Sequence, residues 1–201
     1  MQQAPLKNCG TVEGALDLIR SNDVISTSIY GCEPTAFLRE LHTIAPRVEN
    51  VVLWSLNIIG PYKVMTDNSL KGRIDIYSFF YNGYCRAGQA SGRFHMVPLN
   101  LHSVGPCIVA TKRPTVFVAA VSLPDENGNV SISMDLESTW ECMDVADRII
   151  FEINPHLPRV CGETQVPLSR ATYYYENPSP MPDVPAPPVT EEDRIIAGYV
   201  A

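Results

Sequence analysis

The sequence predicts an α/β domain built on an open, mostly parallel sheet with helices on its faces. Two continuous apolar runs, "NVVLWSLNIIG" and "PTVFVAAVSL", have the composition of strands that are buried on both sides. Segments with helical spacing of apolar residues lie between the strand candidates. The connections are short, as alternating strand and helix units of this kind require. A Pro-rich linker and a terminal helix follow this domain.

Composition and charge restrict the class of protein. With 201 residues, 45% hydrophobic and 18% charged, the chain is long enough for one domain with a sizeable core. A net charge of -7 argues against nucleic-acid binding, because no dense basic stripe can face phosphates. No apolar run reaches membrane-spanning length. The six cysteines form no C-x-x-C pair and no zinc pattern, so we expect a reduced cytoplasmic protein without a metal site.

The first half of the chain supplies three strands and three helices. "TVEGALDLIR" has helical spacing, with Thr11 as its N-cap, and "DVISTSIYG" is a β-branched strand that ends at Gly31. "EPTAFLRELHTIA" predicts a helix with Pro34 in its first position. "NVVLWSLNIIG" and "RIDIYSFF" follow as strands. In "FFYNGYCRAGQASGRF" a glycine-rich turn after a strand opens another helix.

The second half continues the alternation. "PTVFVAAVSL" is the most apolar run and is predicted as the central strand. "PDENGNVSIS" combines turn residues with an alternating stretch, which predicts a hairpin-like excursion. "ESTWECMDVADR" predicts a helix and "RIIFEIN" a buried strand. The prolines of "NPHLPRVCG" then require a loop at the carboxyl end of that strand, and in open α/β sheets ligands bind at this edge.

From Glu176 the composition becomes rich in proline, which favours an extended, semi-rigid spacer. Thr190 then caps a helix whose first turn is acidic. Its apolar face needs a partner, and we expect a further domain to provide it: Ile195, Ile196, Tyr199 and Val200. The predicted layout is an α/β domain over 1–175, a linker over 176–189 and the start of a helix of a second domain over 190–201.

Local motifs alone leave the chemistry open. Cys32 follows a strand and precedes a helix, a place that favours a thiolate, but no histidine has a matching context and we expect a small buried loop cysteine. No G-x-S-x-G, P-loop or G-x-G-x-x-G motif occurs. The turn "YGCEP" offers N–H groups to an anion or a thioester oxygen. Arg86 is suited to pair a carboxylate or phosphate, or is an exposed side chain without a ligand.

Taken in order, four segments resemble the N-terminal half of the acetyl-CoA hydrolase/transferase family, the class I CoA-transferases that act on acetate, butyrate or 4-hydroxybutyrate. "GCEPTAFLREL" resembles the family's Gly-x-x-Pro loop and helix, and "FFYNGYCRAGQASGRFHMVPLNL" its Phe-x-Gly and Gly-Arg segment. "VSLPDENGNVSIS" resembles its Ser-Pro-x-Asp stretch. "IIFEINPHLPRVCGETQ" with the linker resembles its Asn-x-x-Met-Pro run. Tyr30 departs from the pattern, because members often carry glycine there.

The resemblance implies an α/β fold of the CoA-transferase type and CoA transfer between an acyl-CoA and a small carboxylate. In the family a glutamate of the second domain forms the glutamyl-CoA thioester, so the resemblance places no catalytic residue here and implies that this half alone is inactive. It implies coenzyme A thioester as substrate without a permanently bound cofactor, and a C-terminal CoA-transferase domain and a second copy as partners. Expected substrate-binding residues are Gly31, Cys32, Glu33, Pro34, Asn82, Gly83, Arg86, Asn154 and Pro155.

Two other functions remain open on sequence grounds. One is an inactive module of the same fold that binds CoA or a partner. The other is a sugar-phosphate isomerase, which shares the broad fold. The resemblance also leaves open whether the acceptor is a carboxylate or, as in acetyl-CoA hydrolases of acetate metabolism, water.

Overall fold

The computed structural model describes residues 9–184 and 186–201, and seven parallel strands form its main sheet. The strands Val51–Ser55 and Val116–Val121 are buried at every position, because their apolar side chains pack on both faces of the sheet. The strands of this sheet are β1 (Val24–Thr27), β2 (Val51–Ser55), β3 (Ile74–Ser78), β4 (Phe94–Met96), β5 (Val116–Val121), β7 (Arg148–Ile153) and β9 (Tyr173–Glu176).

The strand order is β4-β3-β2-β1-β5-β7-β9, so the chain winds outward from β1 in one direction and then from β5 in the other. The sheet is therefore doubly wound, and its order reverses between β1 and β5. A crevice opens at such a reversal, beyond the carboxyl ends of the strands. The loop after β1, which contains the predicted "YGCEP" turn, lies at this point.

Helices cover both faces of the sheet. One apolar cluster joins α1 (Val12–Leu16), α2 (Thr35–Glu40) and α3 (Lys63–Thr66) to one face. A second cluster joins α5 (Val104–Thr111) and α6 (Thr139–Val145) to the other face. The short helix α4 (Gly83–Gly88) follows β3. The α/β class predicted from sequence is confirmed. None of the helices in the described residues has the length and apolar character that crossing a bilayer requires.

Several local predictions are confirmed at the residue level. The Thr11 side chain accepts a hydrogen bond from the Gly14 N–H and so caps α1. The helix predicted after the glycine-rich turn is α4, and the structure adds its cap, because the Asn82 side chain accepts from the N–H of Cys85. The turn after β5 is also present, with the Asp125 N–H bonded to the Asn129 carbonyl.

Other predictions need correction. Pro34 is the N-cap of α2 and not its first helical residue, and α2 passes into a 3-10 segment, Leu41–Arg47, which contains Pro46. The middle strand is β1, with β5 beside it. After the turn, strand β6 (Asn129–Ser131) pairs antiparallel with β8 (Gln165–Pro167) in a separate two-stranded sheet. Long-range pairing thus replaces a purely local hairpin.

The C-terminal segment begins after β9. Residues 177–184 and 186–190 form neither helix nor strand. Helix α7 (Glu191–Val200) then starts at Thr190 with a full capping box, and none of its residues is buried. The division into domain, linker and second-domain helix remains a prediction.

Candidate functional site

The loop between β1 and α2 packs into the reversal point of the sheet. The Ser28 hydroxyl accepts a hydrogen bond from the Ala120 N–H at 2.9 Å and donates one to the Cys32 carbonyl at 2.5 Å. These bonds tie the turn to β5. Tyr30 has φ 53, in the left-handed region where glycine is favoured, which is the position where the resembling family often has glycine.

Cys32 is buried, and burial is the main cause that raises the pKa of its thiol. Its side chain packs with Ala120 and Leu157. A thiol with a raised pKa is protonated near neutral pH and is a poor nucleophile. Of the two interpretations of Cys32, the structure favours the packed loop residue.

Glu33 is also buried, with 2% of its surface exposed, and its carboxylate accepts three hydrogen bonds. The donors are the N–H of Ile59, the N–H of Gly60 at 3.3 Å and the hydroxyl of Tyr62 at 2.7 Å. Burial raises the pKa of Glu33, while these bonds act in the opposite direction. The carboxylate thus faces the loop after β2 and not solvent.

The loop after β2 and the start of α4 line an open cavity of about 510 Å³, which we call the loop–α4 cavity. Asn82 and Gly83, both predicted from sequence, lie in its wall. No atom lies within 4 Å of the position that a Gly83 Cβ would occupy, so this residue leaves space in the cavity. No charged residue lines the cavity, which consists of Asn57, Ile58, Ile59, Thr66, Asn82, Gly83, Tyr84 and Ala87.

A second cavity of about 510 Å³ lies on the other side of the same loop, between α2 and the linker, and we call it the linker cavity. Arg39, Glu40 and Lys63 provide charge there. Among the described residues, the lining consists of Thr35, Arg39, Glu40, His42, Gly60, Pro61, Tyr62, Lys63, Pro180 and Pro182. The loop from Asn57 to Lys63 therefore contributes to both cavities.

The remaining predicted residues lie apart from these walls. Gly31 lies in the 3-10 turn after β1, close to Met134, and Pro34 starts α2. The exposed Arg86 donates to the Tyr81 carbonyl at 2.8 Å. Asn154 is buried and donates to the Ser179 carbonyl at 2.9 Å, which fastens the linker, while Pro155 is exposed.

Sequence reasoning missed three groups that organise this edge. Asp135 is buried and accepts from the Ile29 N–H at 3.1 Å, and burial raises its pKa to about 6. Glu152 accepts from the N–H groups of Ala36 and Phe37 at 3.1 Å. Tyr84 reaches the Gly60 carbonyl at 2.9 Å. Of these three groups, only Glu152 had a signal in the sequence, because it is an acidic residue inside the apolar run "RIIFEIN". Among the described residues, no three metal-ligating side chains cluster.

The fold is a doubly wound α/β domain with two cavities along the loop that follows β2. No family model matches the chain. Over 97% of its length it is 26% identical to the succinyl-CoA:cyclohexane-1-carboxylate CoA transferase of Geobacter metallireducens, and covers 44% of that protein. It is 24% identical to the succinyl-CoA:acetate/propanoyl-CoA:succinate CoA transferase of Fasciola hepatica. That match covers 81% of this chain and 34% of the Fasciola protein.

A solved structure has the same fold. RipA from Yersinia pestis superposes with a TM-score of 0.83 at 26% identity, with 96% of this chain and 48% of RipA covered. The resemblance to CoA transferases found in the sequence is thus confirmed. The chain spans less than half the length of each of these three relatives.

Proposed function

We propose that this chain is the N-terminal half of an acyl-CoA:carboxylate CoA-transferase and supplies the wall against which the acyl or carboxylate group binds. The observation that carries the proposal is the similarity to CoA transferases over almost the whole chain. The loop–α4 cavity supports it, because it lies at the sheet edge where open α/β sheets bind ligands.

The proposed chemistry is a covalent exchange in two displacements. A glutamate carboxylate attacks the thioester carbonyl and expels the CoA thiolate, which leaves a mixed anhydride. The thiolate then attacks the glutamyl carbonyl, so that a glutamyl-CoA thioester forms and the first carboxylate is released; the second carboxylate reverses these steps. Because a thioester is exchanged for a thioester, the overall reaction is close to isoenergetic, and the covalent route divides it into separate displacements.

A second α/β domain would provide the glutamate in this proposal. Both carboxylates near the predicted loop are unsuited to attack, because Glu33 and Glu152 are buried and accept hydrogen bonds from backbone N–H groups. The loop–α4 cavity has no carboxylate in its wall. This chain's residues would bind and orient the acyl group and keep water from the reacting carbonyl, which favours transfer over hydrolysis.

Two further parts of the proposal concern the cofactor and the compartment. CoA thioester is substrate and not a resident group. The cytoplasm is the proposed location, because all six cysteines are free thiols, as a reducing compartment maintains them.

The test measures CoA transfer from succinyl-CoA to acetate and to cyclohexanecarboxylate, with the product of the complete reading frame and with this 201-residue chain alone. We expect transfer by the former and none by the latter. Gly83→Leu would fill the loop–α4 cavity and raise the KM for the larger acceptor about tenfold or more, while Gly83→Ala changes it little. Absence of transfer by the complete product refutes the proposal and favours an inactive binding module.

A further inference from the structure

The loop from Asn57 to Lys63 is held from two sides. From the sheet side, the Glu33 carboxylate accepts one hydrogen bond from the backbone N–H of Ile59 and one from that of Gly60. From the α4 side, the Tyr84 hydroxyl lies 3.3 Å from the Ile59 carbonyl and 2.9 Å from the Gly60 carbonyl. Glu33 therefore holds both N–H groups of these residues, while the single Tyr84 O–H lies within reach of both carbonyls, with the shorter contact to Gly60, whose carbonyl also accepts from the Tyr62 N–H at 2.9 Å.

Gly60 and Tyr62 complete this arrangement. The Tyr62 ring folds back over Gly60 so closely that a Cβ at residue 60 would lie 2.3 Å from the ring. Because glycine has no Cβ, the Tyr62 hydroxyl can reach the Glu33 carboxylate at 2.7 Å. Tyr62 is itself buried, so this contact is shielded from water.

The held loop is the wall between the two cavities. Its first residues, Asn57 to Ile59, line the loop–α4 cavity, and Gly60 to Lys63 line the linker cavity. Glu33 lines neither of them. A side chain that contacts no cavity but fixes the backbone of their common wall acts on a ligand only through that backbone.

We propose that Glu33 is a positioning residue, whose buried carboxylate sets the Ile59–Gly60 backbone and thereby the shape of the loop–α4 cavity for the acyl group. This inference rests on the proposed function. It gives Glu33 a role different from the direct substrate contact that the resemblance implies, because its oxygens are already occupied by internal donors. A second-layer carboxylate of this kind keeps a binding wall within the narrow geometry that a reaction needs.

The first experiment follows amide hydrogen exchange at Ile59 and Gly60 in this chain. In Glu33→Gln the side-chain NH2 cannot accept, so at least one of the two N–H groups loses its acceptor, and exchange should accelerate about tenfold or more. Glu126→Gln, the same change at an exposed turn residue, is the matched control. Unchanged exchange in Glu33→Gln overturns the proposal.

The second experiment separates positioning from mere stability. In the transferase assay on the complete product, Glu33→Gln should raise the KM for the carboxylate about tenfold and change kcat less than about threefold. A purely structural loss would lower the active fraction, so that kcat falls at unchanged KM, and this result overturns the proposal. If the complete product transfers no CoA, the proposed function fails, while the exchange measurement still decides whether Glu33 holds the loop.

A second variant keeps the test valid if Glu33→Gln does not fold. Tyr62→Phe retains the carboxylate and removes one of its three donors. We expect faster exchange at Gly60, by a smaller factor than in Glu33→Gln. Exchange at the wild-type rate in Tyr62→Phe contradicts the proposal.

Discussion

Three buried carboxyl groups organise the loops beyond the carboxyl ends of the strands. Glu33, Asp135 and Glu152 are each at most 5% exposed, and each accepts a hydrogen bond from at least one backbone N–H. A buried carboxylate is unfavourable unless donors surround it. These residues therefore exchange some stability for loops of defined geometry at the candidate site.

Asp135 makes this cost measurable. Burial raises its pKa from the ordinary 3.8 to about 6, so the folded chain binds more protons than the unfolded chain between these values. Its contribution to stability is present below pH 4 and is lost as the pH rises through 6. Asp135→Asn keeps an acceptor for the Ile29 N–H without the charge.

The unfolding free energy of Asp135→Asn minus that of wild type should be about 2 kcal/mol larger at pH 7.5 than at pH 4.5. The reason is that only the wild-type carboxyl loses its proton over this range. Urea unfolding at both pH values measures the gain, with Glu126→Gln as the control. A difference between Asp135→Asn and wild type that does not change with pH contradicts the assignment.

Arg93 is the basic counterpart of these groups, and no part of its surface is exposed. Its guanidinium donates to three carbonyls: that of Ile74 at 2.6 Å, that of Asp67 at 3.2 Å and that of Val64. Burial lowers the pKa of the Arg93 guanidinium to about 10, so the side chain is still charged near neutral pH. Arg93 thus fastens α3 and the following turn to β3.

Arg93→Lys should lower the unfolding free energy by about 2–4 kcal/mol, because an ammonium cannot reach three separated carbonyls as a planar guanidinium does. Arg86→Lys, at an exposed residue, should change it by less than about 0.5 kcal/mol. Urea denaturation of both variants provides the measurement. Equal stability of the two variants rules out this role for Arg93.

At the scale of elements, α7 differs from the other helices because its stability is local. It has no buried residue, so packing does not support it. Its capping box is complete: the Asp193 N–H donates to the Thr190 hydroxyl at 3.1 Å, and the Thr190 N–H donates to the Asp193 carboxylate at 2.8 Å. A ten-residue helix without packing is marginal in water, so the cap decides its population.

Thr190→Ala should reduce the helical population of residues 191–200, since loss of such a cap costs about 1 kcal/mol. Carbon chemical shifts of these residues in the 201-residue chain report the helical population. Thr190→Ser keeps the hydroxyl and should restore it. If Thr190→Ala leaves the shifts unchanged, α7 is stabilised by contacts other than its cap.

At the scale of the whole molecule, the exposed apolar surface is concentrated where the sequence resembles the start of another domain. On α7, Tyr199 is 87% and Val200 83% exposed, with Ile195 and Ile196 beside them. A contiguous apolar face of this kind is typical of an interaction surface. In the proposed transferase, the second domain covers it.

For the 201-residue chain alone, we expect concentration-dependent self-association through α7. The double variant Ile195→Ser with Tyr199→Ser should weaken it about tenfold, because two apolar side chains leave the interface. Leu101→Ser, at an exposed residue elsewhere, is the control. Light scattering measures the mass, and a wild-type chain that stays monomeric at high concentration contradicts the expectation.

The sequence by itself determined the class of fold and the local elements, because hydrophobic periodicity and capping depend on near neighbours. The apolar runs of β2, β5 and β7 and the caps Thr11 and Thr190 were readable in this way. So was the resemblance to CoA transferases. The position of the turn "YGCEP" beyond the end of a strand also followed from local sequence.

Only the tertiary structure decided the strand order and the partners of the buried polar groups. Strands β4 and β9 are short and form through pairing with β3 and β7. Glu33 meets its donors 26 to 29 residues further along the chain, and Glu152 meets α2 more than 100 residues earlier. No local pattern encodes such contacts, because they exist only once the sheet brings the loops of separate strands to one edge.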